Sequence, residues 1–517
     1  MAKTLKTPTE CMMQWGRAIK KEYKTAFVAA FVMGLLIHMP AILSDVPNHD
    51  GLGSMYFDQN MITSGRWFLT VACGFSSYFT IPWVIGLLGL AFLGLAAAAL
   101  TALLEIKDTL SVVAVSGLLV SFPALASTIS YVFTMDGYML ALLLAVCSVL
   151  CTKKWKWGFV PGALCLAFSM GTYQSYLPFA ILLCYYQVLV IFMEQEKLIE
   201  KLKKCANYLY MGVLGVALYY IILQVLLAIQ GKELASYQGI DGMSSGFSMS
   251  SIAHMYRDFL SFTVKGNVLF NNIYSLVAVC LLFSAVVVVA GRRSIQRKWW
   301  KSPGFYVIIA LSAVVLPLVT NVILLISPQV TYHLLMRYQW VVYLILAVAF
   351  VQRYADRSNA GTRACWAMLF AAVVLIFNYA VTDNIGYSNL EKRYEKTYAY
   401  CMRLLDRIEQ TEGYYQGIPI AMVGVVGYNP YPVTDITLDV TAELTGLNGD
   451  TLLYTGENYE VFMRNYLGAS LNIMTPEEMG DIYFSQEYIE MESFPAESSV
   501  KIVDGIMYVK TENVGRD

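Results

Sequence analysis

The sequence predicts a polytopic α-helical membrane protein with a small α/β domain at its C-terminal end. Three observations carry that reading. The 517 residues are 57% hydrophobic and only 14% charged, whereas soluble domains carry about 25% charged residues. Mean hydropathy is +0.54, and apolar runs near the ~20 residues needed to span a bilayer recur along the chain. Charge is also segregated: residues 1–383 hold 27 Lys and Arg against 16 Asp and Glu, and residues 384–517 hold 9 against 21. A basic membrane part with an acidic tail leaves no case for nucleic acid as a partner of that tail.

The first 25 residues are polar and basic. The apolar run behind them lacks a small-residue cleavage site and reads as a retained anchor. Eleven spans follow from the hydropathy, near 26–44, 82–104, 111–134, 137–152, 158–172, 176–193, 207–229, 273–291, 305–327, 339–352 and 366–383. Placing the N-terminus in the cytoplasm puts 22 Lys and Arg on that side and leaves five outside: Arg66, Lys232, Arg257, Lys265 and Arg337. The positive-inside rule favours that orientation. An odd number of spans then puts the tail outside. Ten cysteines show neither CxxC nor Cys/His metal spacing, and only Cys73 and Cys401 are expected to face outward.

Two outward segments are long. Residues 45–81 carry an acid-rich stretch and then "WFLTVACGFSSYFTIP", which reads as an interfacial helix with its aromatic side chains at headgroup level. Residues 230–272 read as a Gly/Ser-rich loop with an amphipathic helix near 249–264, either a substrate lid or a passive connector. In the tail, residues 386–411 have helical periodicity with Tyr394, Tyr398, Met402, Leu405 and Ile408 on one face. "IPIAMVGVV" reads as a buried strand, "NYEVFMRNYLG" as a short helix, and "VKIVDGIMYVK" as a hairpin turning at Asp504-Gly505. The domains so defined are residues 1–383, in the membrane, and 384–517, outside it.

"SDVPNHDGLGSMYFDQNMITSGRW" gathers Asp45, His49, Asp50, Asp58 and Arg66 just beyond the first span. A carboxylate at a lipid–water boundary is partly desolvated, which raises its pKa and suits it to act as a general base. Three other polar features sit at the same membrane face: Asp136 in "TMDGYM", Tyr173 and Gln174 in the tight turn "MGTYQSYLP", and His333 and Arg337 four residues apart in "PQVTYHLLMRYQW". Each has a bland explanation, as a helix cap, a turn or a snorkelling anchor. Their convergence on one leaflet, with no comparable set on the other, argues for a site. Helical geometry would put His333 and Arg337 on one face.

The sequence has no P-loop, GxGxxG or DxD motif, and nucleotide sugars are not available outside a bacterial cell. A lipid-linked donor held in the outer leaflet can reach such a site. An aspartate would take the proton of an acceptor hydroxyl, polyprenyl phosphate would leave, and Arg66 or Arg337 would stabilise its charge.

"NHDGLGSMYFDQNMITSGRWF", "STISYVFTMDGYMLALLLA", "GTYQSYLPFA" and "FPAESSVKIVDGIMYVK" resemble the bacterial membrane glucosyltransferases that modify O-antigen and convert serotype. The resemblance covers essentially the whole chain. It implies a GT-C type architecture, a catalytic acid in the first outward loop and a polyprenyl-phosphate-glucose donor. An acidic pair commonly precedes the Gly-Arg-Trp element in that family. Here the position reads His49-Asp50, so Asp50 matches one acid and His49 departs from the other.

The expectation is therefore an inverting, metal-independent hexosyltransferase of the bacterial cytoplasmic membrane, without a cofactor, acting on a surface glycan. Asp50 is the leading base, acting alone, with Asp45 or with His49. Asp136 is a secondary catalytic candidate; Arg66 and Arg337 are phosphate ligands; Tyr173, Gln174 and His333 line the sugar pocket. Partners are polyprenyl-phosphate-hexose, the glycan acceptor, membrane lipids, a flippase and a donor-synthesising enzyme. A transporter of lipid-linked glycans would need midplane charges and an internal repeat, and neither is visible. A polymerase or ligase of surface polysaccharide shares the outward site.

Overall fold

The structure, a computed structural model, describes residues 6–53, 60–74, 76, 79–235, 249–327, 330–423, 440–449, 452–453 and 456–511. Asp58, the Gly/Ser-rich stretch 236–248 and the end of the expected strand at 424–426 lie outside them.

Among the described residues nine helices are long and apolar enough to cross a membrane. Thr109–Ser121 and Pro123–Ile129 make a tenth, bent by 49°. The bend follows from Pro123, which drives Phe122 into extended backbone (φ −69°, ψ 129°). Phe159–Thr172, the fifth expected span, is a shorter apolar helix of 14 residues. Segments read as short from hydropathy are full length: the fourth span runs Val132–Lys154 and the tenth Leu334–Tyr354. Their first turns carry Asp136 and Arg337, and such polar residues lower the hydropathy of a window without breaking the helix.

The last span does not stop where the hydropathy falls. Asn359–Gln410 is one helix of 52 residues, capped by Ser358, whose side chain accepts from Gly361 N. The expected division at 383/384 therefore falls inside a continuous helix. Its packed face in the tail is Leu390, Arg393, Thr397, Cys401, Leu404 and Ile408. Tyr398 and Met402 are exposed, so the aromatic face expected from the periodicity is only partly the packed one.

The tail folds against this helix as a four-stranded sheet of order β2-β1-β4-β3: β1 is Pro419–Val423, β2 Asn472–Ile473, β3 Val500–Val503 and β4 Ile506–Lys510. β1 runs parallel to β2 and β4, pairing Ile420 with Ile473 and with Met507. β3 and β4 form the expected hairpin, with Asp504 and Gly505 both at positive φ (48° and 79°), as a two-residue primed turn requires. Gly456–Leu467 is the expected short helix.

Tail and bundle exchange side chains. Leu52, from the first loop, is buried in the tail core with Tyr400, Cys401, Leu404 and Phe462. Leu444 and Leu447, from the tail, belong to the bundle core and meet the long helix at Gly386. Burying a leucine is worth roughly 1.5–3 kcal/mol, so these three fasten the halves together. Within the expected interfacial segment the described residues form a five-residue helix, Leu69–Cys73, whose Leu69, Ala72 and Cys73 are buried; residues 75, 77 and 78 lie outside the described ones. Cys401 is buried as well.

Candidate functional site

A cavity of about 680 Å³ opens at the tail-bearing end of the bundle. Six separate segments contribute to its wall: His49 and Asp50; Met61 to Leu69; Tyr131 to Tyr138; Tyr173 to Ser175; residues between Ile323 and Met336; and Thr445 to Asn448. Its lining combines polar and aromatic side chains with the apolar Ile323, Ile326, Val330, Leu335 and Met336.

The Asp50 turn is built locally. Asn48 Oδ1 accepts from Gly51 N (2.9 Å), organising the short helix His49–Gly53. Its Nδ2 donates to Ser130 O (2.9 Å), which ties the turn to the bundle, and Leu52 pins it into the tail core. His49 Nε2 stands 3.4 Å from Asp50 Oδ1, the two side chains being 36% and 56% exposed. Burial pushes the His49 pKa below its ordinary value, with Asp50 pulling it up and Arg393 pushing it further down. Both residues face the cavity.

Arg66 is held by the neighbouring turn. Gly65 adopts φ 76° after the 3-10 turn Ile62–Ser64, and Met61 bridges to Arg66 across it. Gln174 Nε2 donates to Ser64 O (3.0 Å) and Tyr219 OH (3.1 Å), and Tyr219 OH donates to Gly65 O (3.1 Å). Arg66 Nη1 then donates to Tyr138 OH (3.1 Å) while its guanidinium lies 5.0 Å from the Tyr173 ring. Tyr173 and Tyr138 stack at 4.2 Å and 10°. Tyr173 and Gln174 are thus where a sugar pocket was expected, and they also fix the Arg66 loop. Among the described lining residues Arg66 is the one fixed cation.

Three expected members sit elsewhere. Arg337 is 8% exposed and turned from the cavity: Nη1 and Nη2 reach Asp258 Oδ2 and Oδ1 at 2.7 and 2.8 Å, and Nε donates to Tyr332 O (3.0 Å). The Tyr332 and Phe262 rings cover its faces at 3.9 and 4.6 Å. All its nitrogens are engaged, so it ties the amphipathic helix Met249–Lys265 to the cavity wall rather than offering itself to a phosphate. His333 lines the cavity as the extended residue (φ −65°, ψ 158°) that precedes the 3-10 helix Leu334–Arg337. It therefore lies outside the helical turn that carries Arg337, and the shared face expected of the pair does not form. Burial, then Arg337, holds the His333 pKa low, with Asp50 opposing.

Asp136 is fully buried and does not line the cavity. Its carboxylate accepts from Gly137 N (2.9 Å) and from the Ser76 hydroxyl, at the start of its own helix. Asp45 lies in a separate narrow cleft with Ser44, Gly51, Leu390 and Tyr466, where burial raises its pKa. Neither is among the residues that line the cavity with Asp50.

The sequence reading missed Tyr138, Asp258, Thr445 and Asn448. Asp258 had a signal: it is a lone acid on an amphipathic helix, facing an end that carries few bases. "TGLNG" at 445–449 reads only as a turn.

Fold and site together define a polytopic helical membrane protein with an amphiphilic cavity at one end of its bundle, combining an acid, a fixed cation and stacked aromatics. A family model described as glucosyl transferase GtrII matches residues 39–354, and the chain belongs to that family of glycosyltransferases. No curated protein and no solved structure matches.

Proposed function

We propose that the protein moves a hexose, glucose by its family, from a polyprenyl-phosphate donor to a surface glycan on the extracytoplasmic side of the bacterial cytoplasmic membrane. The carrying observation is the mixed lining of the cavity. Asp50 and Arg66 share it with Ile323, Ile326, Val330, Leu335 and Met336, so a phosphosugar on a lipid chain finds polar and apolar partners in one place. About 680 Å³ lies within the 300–1,000 Å³ usual for ligand sites.

In this reading the acceptor hydroxyl oxygen attacks the anomeric carbon as the bond from that carbon to the phosphate oxygen breaks. The hydroxyl proton passes to Asp50, and the configuration inverts. The departing polyprenyl phosphate carries its charge to Arg66, which supplies a planar donor set matched to phosphate oxygens. In this reading Asp50 and Arg66 carry the step with no metal and no cofactor. His49 orients Asp50, and Tyr138 and Tyr173 hold Arg66. A flippase and a donor-synthesising enzyme supply the substrate, and the tail lies outside the membrane on the side opposite the basic segments.

Glycan analysis of a strain deleted for the gene tests this. Loss of one side-chain hexose from an otherwise intact polymer is the expected result. Loss of the polymer itself would make the protein a polymerase, ligase or transporter and overturn the reading.

A further inference from the structure

Four consecutive carbonyls of the tail, Gly446 to Gly449, each receive a side-chain hydrogen bond from the long helix. Arg393 Nη2 donates to Gly446 O (2.9 Å) and Nη1 to Asn448 O (2.6 Å). Asn389 Nδ2 donates to Leu447 O (2.7 Å) and Gly449 O (2.9 Å). Arg393 and Asn389 are both buried, and bonds from a buried guanidinium are among the strong ones. Within the Thr-Gly-Leu-Asn-Gly loop itself Asn448 Nδ2 donates to Ala442 O (3.2 Å) and Leu447 is buried, but two glycines in five residues leave its backbone in need of further support. The helix supplies it, one turn apart at positions 389 and 393.

The clamped loop is driven onto the site. Gly446 is at φ 83°. A side chain there would collide with Ser130 Oγ and come within 2.9 Å of Tyr131 and 3.2 Å of Asn48 Nδ2, so only glycine allows the approach. Asn48 is the residue that organises the Asp50 turn. On the other side Leu334 N donates to Thr445 Oγ1 (3.1 Å), seating the loop against the segment that carries His333. Thr445 and Asn448 then line the cavity. The loop adds hydroxyl and amide groups without charge, next to the segments that carry Asp50 and His333. Uncharged hydrogen-bonding groups suit sugar hydroxyls; the phosphate has its cation elsewhere.

We infer that the Thr445–Gly449 loop is the acceptor-glycan subsite, with Asn448 and Thr445 contacting acceptor hydroxyls and Arg393 acting as the positioning residue that holds them beside Asp50. The inference rests on the transferase reading above. It assigns the tail a share in the reaction: the helix that leaves the membrane sets the acceptor against the base, and the bundle sets the donor.

The test uses the full-length protein in detergent, undecaprenyl-phosphate-glucose as donor, and surface polysaccharide extracted from the deletion strain as acceptor. Asn448→Ala, at an exposed position, should raise the KM for the polysaccharide about tenfold, the size of one lost hydrogen bond, with the donor KM within about twofold. Arg393→Lys should give the same split, because an ammonium cannot hold two carbonyls in the plane of a guanidinium. Asn448→Ala with unchanged polysaccharide KM, or with donor and acceptor KM raised alike, would overturn the assignment. Wild-type protein that transfers no hexose under these conditions would instead sink the transferase reading, and the inference with it.

Discussion

The two ends of the helix bundle handle charge in opposite ways. At one end, Glu105 binds Lys153 (2.9 Å) and Arg353 (2.8 Å), Arg353 reaches Glu194 (3.6 Å), Lys204 binds Glu196 (2.6 Å), and Arg292 binds Asp356 (3.0 Å). These charges sit where the spans Pro82–Leu104, Val132–Lys154, Gln174–Met193 and Leu334–Tyr354 all finish. At the other end, where the same helices begin, charged groups are few. They are held mainly by neutral partners: Asn48 and Leu52 for the Asp50 turn, Tyr138 and Gln174 for Arg66 and its loop. Abundant charge paired with itself braces helix ends. Sparse charge set by neutral scaffolding around a cavity is available for chemistry.

Removing Asp50 tests that contrast most severely. Asp50→Asn keeps the shape of the turn and deletes the proton acceptor, so transfer should fall roughly 10²–10⁴-fold while thermal stability stays unchanged. His49→Gln measured beside it shows whether Asp50 acts alone: a small loss means that it does. Near-normal turnover of purified Asp50→Asn would remove the base from this turn altogether.

Asp258 breaks the contrast from within, being a paired charge at the cavity end. Asp258→Ala leaves Arg337 buried without its carboxylate and should cost about 3–5 kcal/mol. Replacing both, Arg337→Met with Asp258→Leu, should recover most of that loss. Thermal unfolding in detergent reads both. A double variant as unstable as the single would mean that the pair does more than tie the Met249–Lys265 helix to the wall.

The smallest expected effect concerns His333. Its pKa is held below the ordinary value of about 6.5 by burial and Arg337, so the folded protein takes up the proton less readily than the unfolded chain. The stability due to neutral His333 is therefore complete above about pH 6.5 and is lost as pH falls below it towards the folded value. Between pH 7 and 5 the wild-type melting temperature should drop more than that of His333→Gln. Equal drops would show that His333 does not feel its surroundings.

What the sequence conveyed, and what it withheld, divides by range. Every expected apolar segment is helical, because twenty apolar residues in lipid have no other way to satisfy their backbone. The Asp504-Gly505 hairpin was equally local. Asp50, His49, Arg66, Tyr173, Gln174 and His333 all line one cavity, since membrane topology alone brings span ends together. Sequence and structure part where a partner far along the chain decides the matter. Arg337 pairs with Asp258, 79 residues earlier, and nothing local in the sequence marks the two as mates. Asp136 was expected at a surface that Ser76 and Cys73 cover. Asp45 shares a loop with Asp50 but is turned towards Leu390 and Tyr466.

The 52-residue helix Asn359–Gln410 makes the relation of tail to membrane a matter of phase. Each residue in a helix advances it by 1.5 Å and turns it by about 100°. The donors at Asn389 and Arg393 are aimed by every residue between them and the bilayer. One residue gained or lost near Gly386 would swing the clamp by roughly a quarter-turn away from the Thr445–Gly449 loop, whereas a change of seven, about two whole turns, would leave it facing correctly but displaced by roughly 10 Å. The length of this stretch is thus constrained as tightly as its composition. A shaft without a joint also gives the tail no freedom to search; on the acceptor reading proposed above, the polymer would have to come to a wall already in place.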